Sequence, residues 1–209
     1  MLQFRSCDHS TPFGPRWPSI AVLLLALTLL ASCASGGGTS AQRYSLPEGA
    51  ELDQTSRVEM PSQRLVVSRV RVTDYLDAEG IVMQLDDITV NRARQHLWAE
   101  DLPRQLQRGL RQRLAERLPD TQVFGEDGRR DGAYELRLDV THFQGRYDGQ
   151  AIARGEWQLR DARGEVIALE PFAASTTLDA DGYPALVRAL GSSWDSVADQ
   201  LADRLRELR

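Results

Sequence analysis

A chain of 209 residues with 25 basic and 30 acidic side chains, every basic one an arginine, carries a formal net charge of −5. Arginines interspersed among carboxylates form no basic stripe, which argues against nucleic acid as a partner, and two cysteines are too few for a disulfide framework. The length and the 42 % hydrophobic content suit one domain with a real core.

The N-terminal residues read as a leader and not as fold. Arg5 and Arg16 make a positive front, Ile20 to Leu30 is an apolar run too short for the ~20 residues of a membrane span, and Leu30-Ala31-Ser32-Cys33 closes it with small residues before a cysteine. This pattern predicts a lipoprotein signal peptide over residues 1–32, cleaved to leave Cys33 as a lipidated N-terminus. Two or three acyl chains, each CH₂ contributing ~0.8 kcal/mol, anchor a protein stably where one chain does not. Ala34 follows the cysteine where an aspartate would signal retention at the inner membrane, so the outer membrane is favoured. The bland alternatives are an ordinary secretory leader and a short transmembrane anchor. Residues 33–43, rich in Gly, Ser and Ala, read as a flexible tether, and residues 44–209 as one periplasmic domain. Without residues 1–32 the chain has 23 arginines against 29 carboxylates, a net of −6, and no free thiol, because Cys7 lies in the leader.

Arg64 to Val72 then reads as one strand, Asp74 to Gly80 as a turn, and Ile81 to Leu85 with Ile88 to Asn91 as a hairpin. Leu102, Leu106, Leu110, Leu114 and Leu118 recur every four residues and predict a helix from about Glu100 to Leu118, with Trp98 entering the stripe, Asp101 as cap and Pro103 in the first turn. Its other face, Arg104, Arg108, Arg111, Gln112 and Glu116, reads as solvated. Ala133 to Phe143, Gln150 to Arg160 and Glu165 to Leu178 alternate at period two across short turns, an antiparallel meander with one packed face. Ala151, Ala153 and Gly155 on that face leave room for a crossing helix, or could line a cavity. Leu186, Leu190, Trp194, Val197, Leu201, Leu205 and Leu208 then predict a long helix from about Tyr183 to Leu208, opened by Asp181 and Pro184, with Gly191-Ser192-Ser193 marking a close approach. The expected fold is α+β, an antiparallel-rich sheet with two amphipathic helices packed on one face.

The search for chemistry returns little. His9, His96 and His142 belong to no metal-ligand spacing, no nucleophile elbow or phosphate loop occurs, and Asp86-Asp87, Glu126-Asp127, Asp179 and Asp181 fall in turns where carboxylates are ordinarily solvated. No catalytic residue, metal site or cofactor is expected. What remains is a tethered binding or scaffolding domain.

Tyr44-Ser45-Leu46, Tyr75-Leu76-Asp77 with Gly80-Ile81-Val82, Leu97-Trp98-Ala99-Glu100, Val140-Thr141-His142-Phe143 and Asp181-Gly182-Tyr183-Pro184-Ala185-Leu186-Val187 follow one another in an order that resembles the ABC-type transport auxiliary lipoproteins, the PqiC-like family. The resemblance spans nearly the whole domain. It implies a non-enzymatic outer-membrane lipoprotein that faces the periplasm and serves a transport system built on an MCE-domain subunit, moving lipids or other hydrophobic molecules between two membranes. The sequence departs from the family's pattern at Ala78-Glu79 and Met83-Gln84, where members often carry an arginine with a proline and an aromatic-arginine pair. Tyr75, Leu76, Ile81 and Val82 form an apolar cluster that either makes or supports a partner-docking surface, or caps the core. A lipid carrier, a structural outer-membrane assembly lipoprotein and a homo-oligomer joined through an edge strand of the meander stay open beside this reading.

Overall fold

The computed structural model describes residues 40–48, 61–128 and 132–208. The leader, Cys33 and the expected tether up to residue 39 lie outside the described residues, and the tether ends earlier than expected, since Gln42 and Arg43 already belong to a strand paired with His96 and Leu97. The architecture is α+β, with nine strands β1 (Gln42–Tyr44), β2 (Gln63–Val67), β3 (Arg71–Val72), β4 (Gly80–Gln84), β5 (Val90–Trp98), β6 (Thr121–Gly125), β7 (Tyr134–Gly145), β8 (Gln150–Arg160) and β9 (Val166–Thr177), and helices α1 (Leu102–Arg117) and α2 (Tyr183–Glu207).

Strand β7 is the spine. One of its edges carries the expected meander, β8 antiparallel to β7 and β9 antiparallel to β8. The other edge is shared by three short strands that run parallel to it, β2 beside Tyr134–Leu136, β3 beside Asp139–Val140 and β4 beside Gly145. From there the sheet forks, since β2 also holds β6 in parallel while β4 holds β5 antiparallel, and β5 holds β1 in parallel. The parallel pairings are an addition to the expected antiparallel sheet.

This sharing explains two corrections. The run Arg64 to Val72 is two strands and not one, because the chain steps along β7 through Ser68-Arg69-Val70, with the Ser68 amide on the Leu136 carbonyl at 2.9 Å and Val70 fully buried. The return strand of the hairpin is also longer than its apolar residues suggested. It runs to Trp98, so Trp98 and His96 belong to β5 and not to the approach of the first helix.

The leucine stripe of α1 is completely buried and packs beside β2 and β6, while α2 crosses β7, β8 and β9 and touches α1, so both helices share one face of the sheet. Trp194 is the centre of that layer. It is shut off from solvent, meets Phe143 and Phe172 edge-on at 5.8 and 6.1 Å, and donates its indole N–H to the Leu106 carbonyl at 3.1 Å. A bulge between Val140 and His142 turns Phe143 inward after Leu136, Leu138 and Val140. Asp101 and Gly182 stand at the cap positions, and neither makes a side-chain capping bond.

Helix α2 lies over Ala151 and Ala153, whose side chains are fully buried, and Ser193 donates its hydroxyl to the Ala151 carbonyl at 3.2 Å. Of the two roles read for them, close helix packing is the one Ala151 and Ala153 take, while Gly155 is kept small by the Asp139 carbonyl of β7 and the Phe172 ring. Glu116 departs from the solvated face expected of α1, with a side chain only 17 % exposed. Among the described residues β9 pairs with β8 alone, and it contains Pro171, which has no N–H to offer a strand.

Candidate functional site

The four residues expected at a docking surface separate on folding. Leu76, Ile81 and Val82 are at most 2 % exposed and belong to the main core. Buried side chains cannot form a surface, so their part is to hold the turn from below. Tyr75 is the one that reaches outward, and its hydroxyl lies 2.7 Å from the Thr141 carbonyl and 2.8 Å from Oε1 of buried Gln144. Burial raises its phenol pKa above the ordinary value. Tyr75 thus pins the turn Thr73 to Glu79 against the bulge of β7.

The base of the β4–β5 hairpin is fixed by a glycine. A Cβ on Gly80 would collide with the Ala93 carbonyl, which the irregular register of β5 leans over it. The Trp98 amide then donates to the Glu79 carbonyl at 2.7 Å and Arg43 donates to the Trp98 carbonyl at 3.2 Å. These contacts shape a cleft of about 370 Å³ lined by Arg43, Asp77, Glu79, Trp98, Glu100 and Asp101 among others. Glu79 and Arg43 pair loosely at 3.5 Å and stay more than half exposed. The hydrogen bond from Arg108 holds the Glu100 carboxyl below its usual range. Such a rim of charged groups around a shallow floor suits polar contact with a protein segment, and it offers no apolar chamber to a lipid tail. Among the described residues no group of His, Cys, Asp and Glu is placed to hold a metal ion.

Beside the cleft the incoming chain is tied down. The Ala99 amide donates to the Tyr44 carbonyl at 2.8 Å, the Leu46 amide to Gln105 at 2.7 Å, and Tyr44 bonds His96, whose ring stacks on Tyr183 at 4.0 Å. Arg113, wholly buried, donates to the Pro47 carbonyl at 2.8 Å and to Asp195 at 2.6 Å. Pro47 in turn lies against Gly191, where a Cβ would approach it to 3.1 Å. This clamp was missed in the sequence, although position 113 lies three residues after Leu110 and so on the buried stripe of α1.

The described residues form a mixed α+β domain whose accessible features include this cleft and a smaller one of about 220 Å³ lined by Arg71, Arg137, Asp139, Glu156, Trp157 and Arg160 among others. Residues 44–202 match the model of the ABC-type transport auxiliary lipoprotein component, and the chain belongs to that family. It is 32 % identical over 187 residues to the "Intermembrane transport lipoprotein PqiC" of Escherichia coli K12, covering 90 % of this chain and 97 % of that protein, and equally to the protein of the same name from Shigella flexneri. A crystal structure of an uncharacterized protein, 30 % identical, superposes with a TM-score of 0.70 over 79 % of this chain and 99 % of that one. Protein XCC0632 from Xanthomonas campestris, 16 % identical, shares the fold with a TM-score of 0.62 over 81 % of this chain and 94 % of its own.

Proposed function

We propose that this chain is the lipid-anchored, non-enzymatic auxiliary subunit of an assembly that moves lipids or other hydrophobic molecules between the inner and outer membranes. The observation that carries the reading is identity along almost the full length of a protein named for intermembrane transport. In this reading residues 1–32 are removed, Cys33 carries the lipid at the periplasmic face of the outer membrane, and the domain from residue 44 receives an MCE-domain subunit. The cleft at the hairpin base supports that division of labour, because Asp77, Glu79 and Arg43 stand exposed on a turn that Tyr75 and the buried Leu76, Ile81 and Val82 keep in place.

A photo-crosslinking residue at Ala78, placed in the lipidated protein in native membranes, tests this. Covalent capture of an MCE-domain protein at Ala78, and its loss when Glu79 and Asp77 are both changed to arginine, is the expected result. Capture of barrel-assembly factors instead, or of an MCE-domain protein equally well from Ala162 on the β8–β9 turn, would overturn it.

A further inference from the structure

The tip of the β4–β5 hairpin breaks the usual pattern of a solvated turn. Leu85, Ile88 and Val90 are 52, 88 and 46 % exposed. Met83 pairs in parallel with Gly145, so the tip stands at the same end of the sheet as the β7–β8 turn, whose Tyr147 is 57 % exposed. Three aliphatic side chains and a tyrosine therefore project together from one end. Isolated exposed apolar residues are ordinary, but a group on two adjoining turns marks a contact.

The path of the incoming chain says what the contact is. Strand β5 runs away from the tip, and β1 runs parallel to it with Gln42 beside His96 and Tyr44 beside Trp98. Followed backwards from Arg43, the chain heads toward the tip. Arg43 stands beside Leu97, which pairs with Gly80, and Val90 pairs with Gln84, so the hairpin projects four residues of β4 past that point, about 13 Å at ~3.3 Å per residue. The ten residues back to Cys33 span at most ~36 Å. A lipid on Cys33 thus keeps the bilayer within reach of this end.

The charges of the tip agree with a shallow seat. The Asp86 carboxylate is spent inside the turn on the amides of Ile88 at 2.9 Å and Thr89 at 2.7 Å, which hold its pKa below the usual range. Asp87 is exposed and bars deep burial, while the exposed Arg92 and Arg94 follow along β5, where cations can meet lipid headgroups. Aliphatic groups seated ~5–10 Å into the headgroup boundary, with a tyrosine beside them, are the usual chemistry of interfacial contact. We propose that Leu85, Ile88, Val90 and Tyr147 form a second membrane contact, which seats the domain against the lipid surface that holds its anchor. The proposal rests on the reading of Cys33 as the lipidated residue.

The processed, lipidated chain has no free thiol, so single cysteines introduced at Ile88, Tyr147 or Ala162 take an environment-sensitive fluorophore at one place each. Ala162 sits on the β8–β9 turn at the opposite end of β7 and is the reference. The lipidated proteins are reconstituted into phosphatidylethanolamine and phosphatidylglycerol vesicles containing doxyl-lipid quencher. The expected result is a blue shift and several-fold stronger quenching at positions 88 and 147 than at 162, with quenching at 147 reduced in a Leu85→Ser, Ile88→Ser background. Equal quenching at 88 and 162 overturns the proposal, and so does a blue shift at 88 without quenching, which would mean that protein covers the tip. Flotation of every variant with the vesicles, together with the mass of the N-terminal peptide, checks the anchor separately. Failure of all variants to float would overturn the Cys33 reading and this proposal with it, whereas flotation without quenching at 88 overturns this proposal alone.

Discussion

Two of the regions that depart from the common rule of polar outside and apolar inside do so in opposite directions. In the clamp between α1, α2 and the incoming chain, the guanidinium of Arg113 is completely buried. At the hairpin tip, Ile88 is almost completely exposed. A buried charge is tolerated only when its hydrogen bonds are met, and Arg113 meets them with Asp195 and the carbonyls of Gly109 and Pro47. The first region thus spends polar groups on fixing where the chain enters the domain. The second leaves apolar groups uncovered by the fold, which is what the proposed membrane contact would use.

The sharpest test of the contrast is asymmetric. Asp195→Ala leaves the Arg113 charge buried with carbonyls alone and should cost ~3–5 kcal/mol of stability. Arg113→Met leaves behind a carboxylate that is already 42 % exposed and can turn to water, so it should cost clearly less. Urea unfolding of both variants measures this, and equal losses would mean that the buried charge is not what the clamp manages. Next in size, Leu76→Ala should cost about 3 kcal/mol as a cavity in the core under the turn; a loss under 1 kcal/mol would return Leu76 to the surface. Tyr75→Phe removes one hydroxyl hydrogen bond and should cost about 1 kcal/mol, read by thermal unfolding, while leaving crosslinking through Ala78 in place. Ile88→Ser should change stability by no more than ~0.5 kcal/mol, since the side chain packs on nothing. A larger loss would place the tip in the fold and not at a contact.

His142 shows the milder alternative to the clamp. An arginine must be paired when buried, but a histidine can give up its proton, and burial with the nearby Arg154 lowers the His142 pKa below its ordinary value of 6.5. The unfolded chain then binds the proton more readily than the folded one. Stability should fall as pH drops below 6.5 toward the lowered folded value and be level below it. His142→Gln should remove that slope, and a slope of the opposite sign would show the ring paired in the folded state.

The parts of this fold that were legible in the sequence are those with local periodicity. The leucines of α1 and the alternation of β7, β8 and β9 fix which side of each element is buried before any partner is known. The fork was not legible, because β2, β3 and β4 are two to five residues long and gain their identity from distant positions of β7. The hairpin was legible as a hairpin, yet its apolar residues divide between core and solvent. Ile81 and Val82 pack inward while Leu85, Ile88 and Val90 do not, and only the layer covering the first pair makes the difference. Arg113 looked like one arginine among many on a charged helix, since a sequence does not show that Asp195 will come to meet it.

The position of β7 in the chain has a consequence for how the molecule is made. Strands β2, β3 and β4 each have an edge that residues 134–145 cover. Emerging N-terminus first, they wait with open edges until the spine arrives, and the long loops that must close before these pairs form make assembly slow. Open strand edges recruit one another between chains during such a wait. A folding factor that shields residues 63–98 early should therefore raise the yield of this protein more than one that acts after β9 has formed.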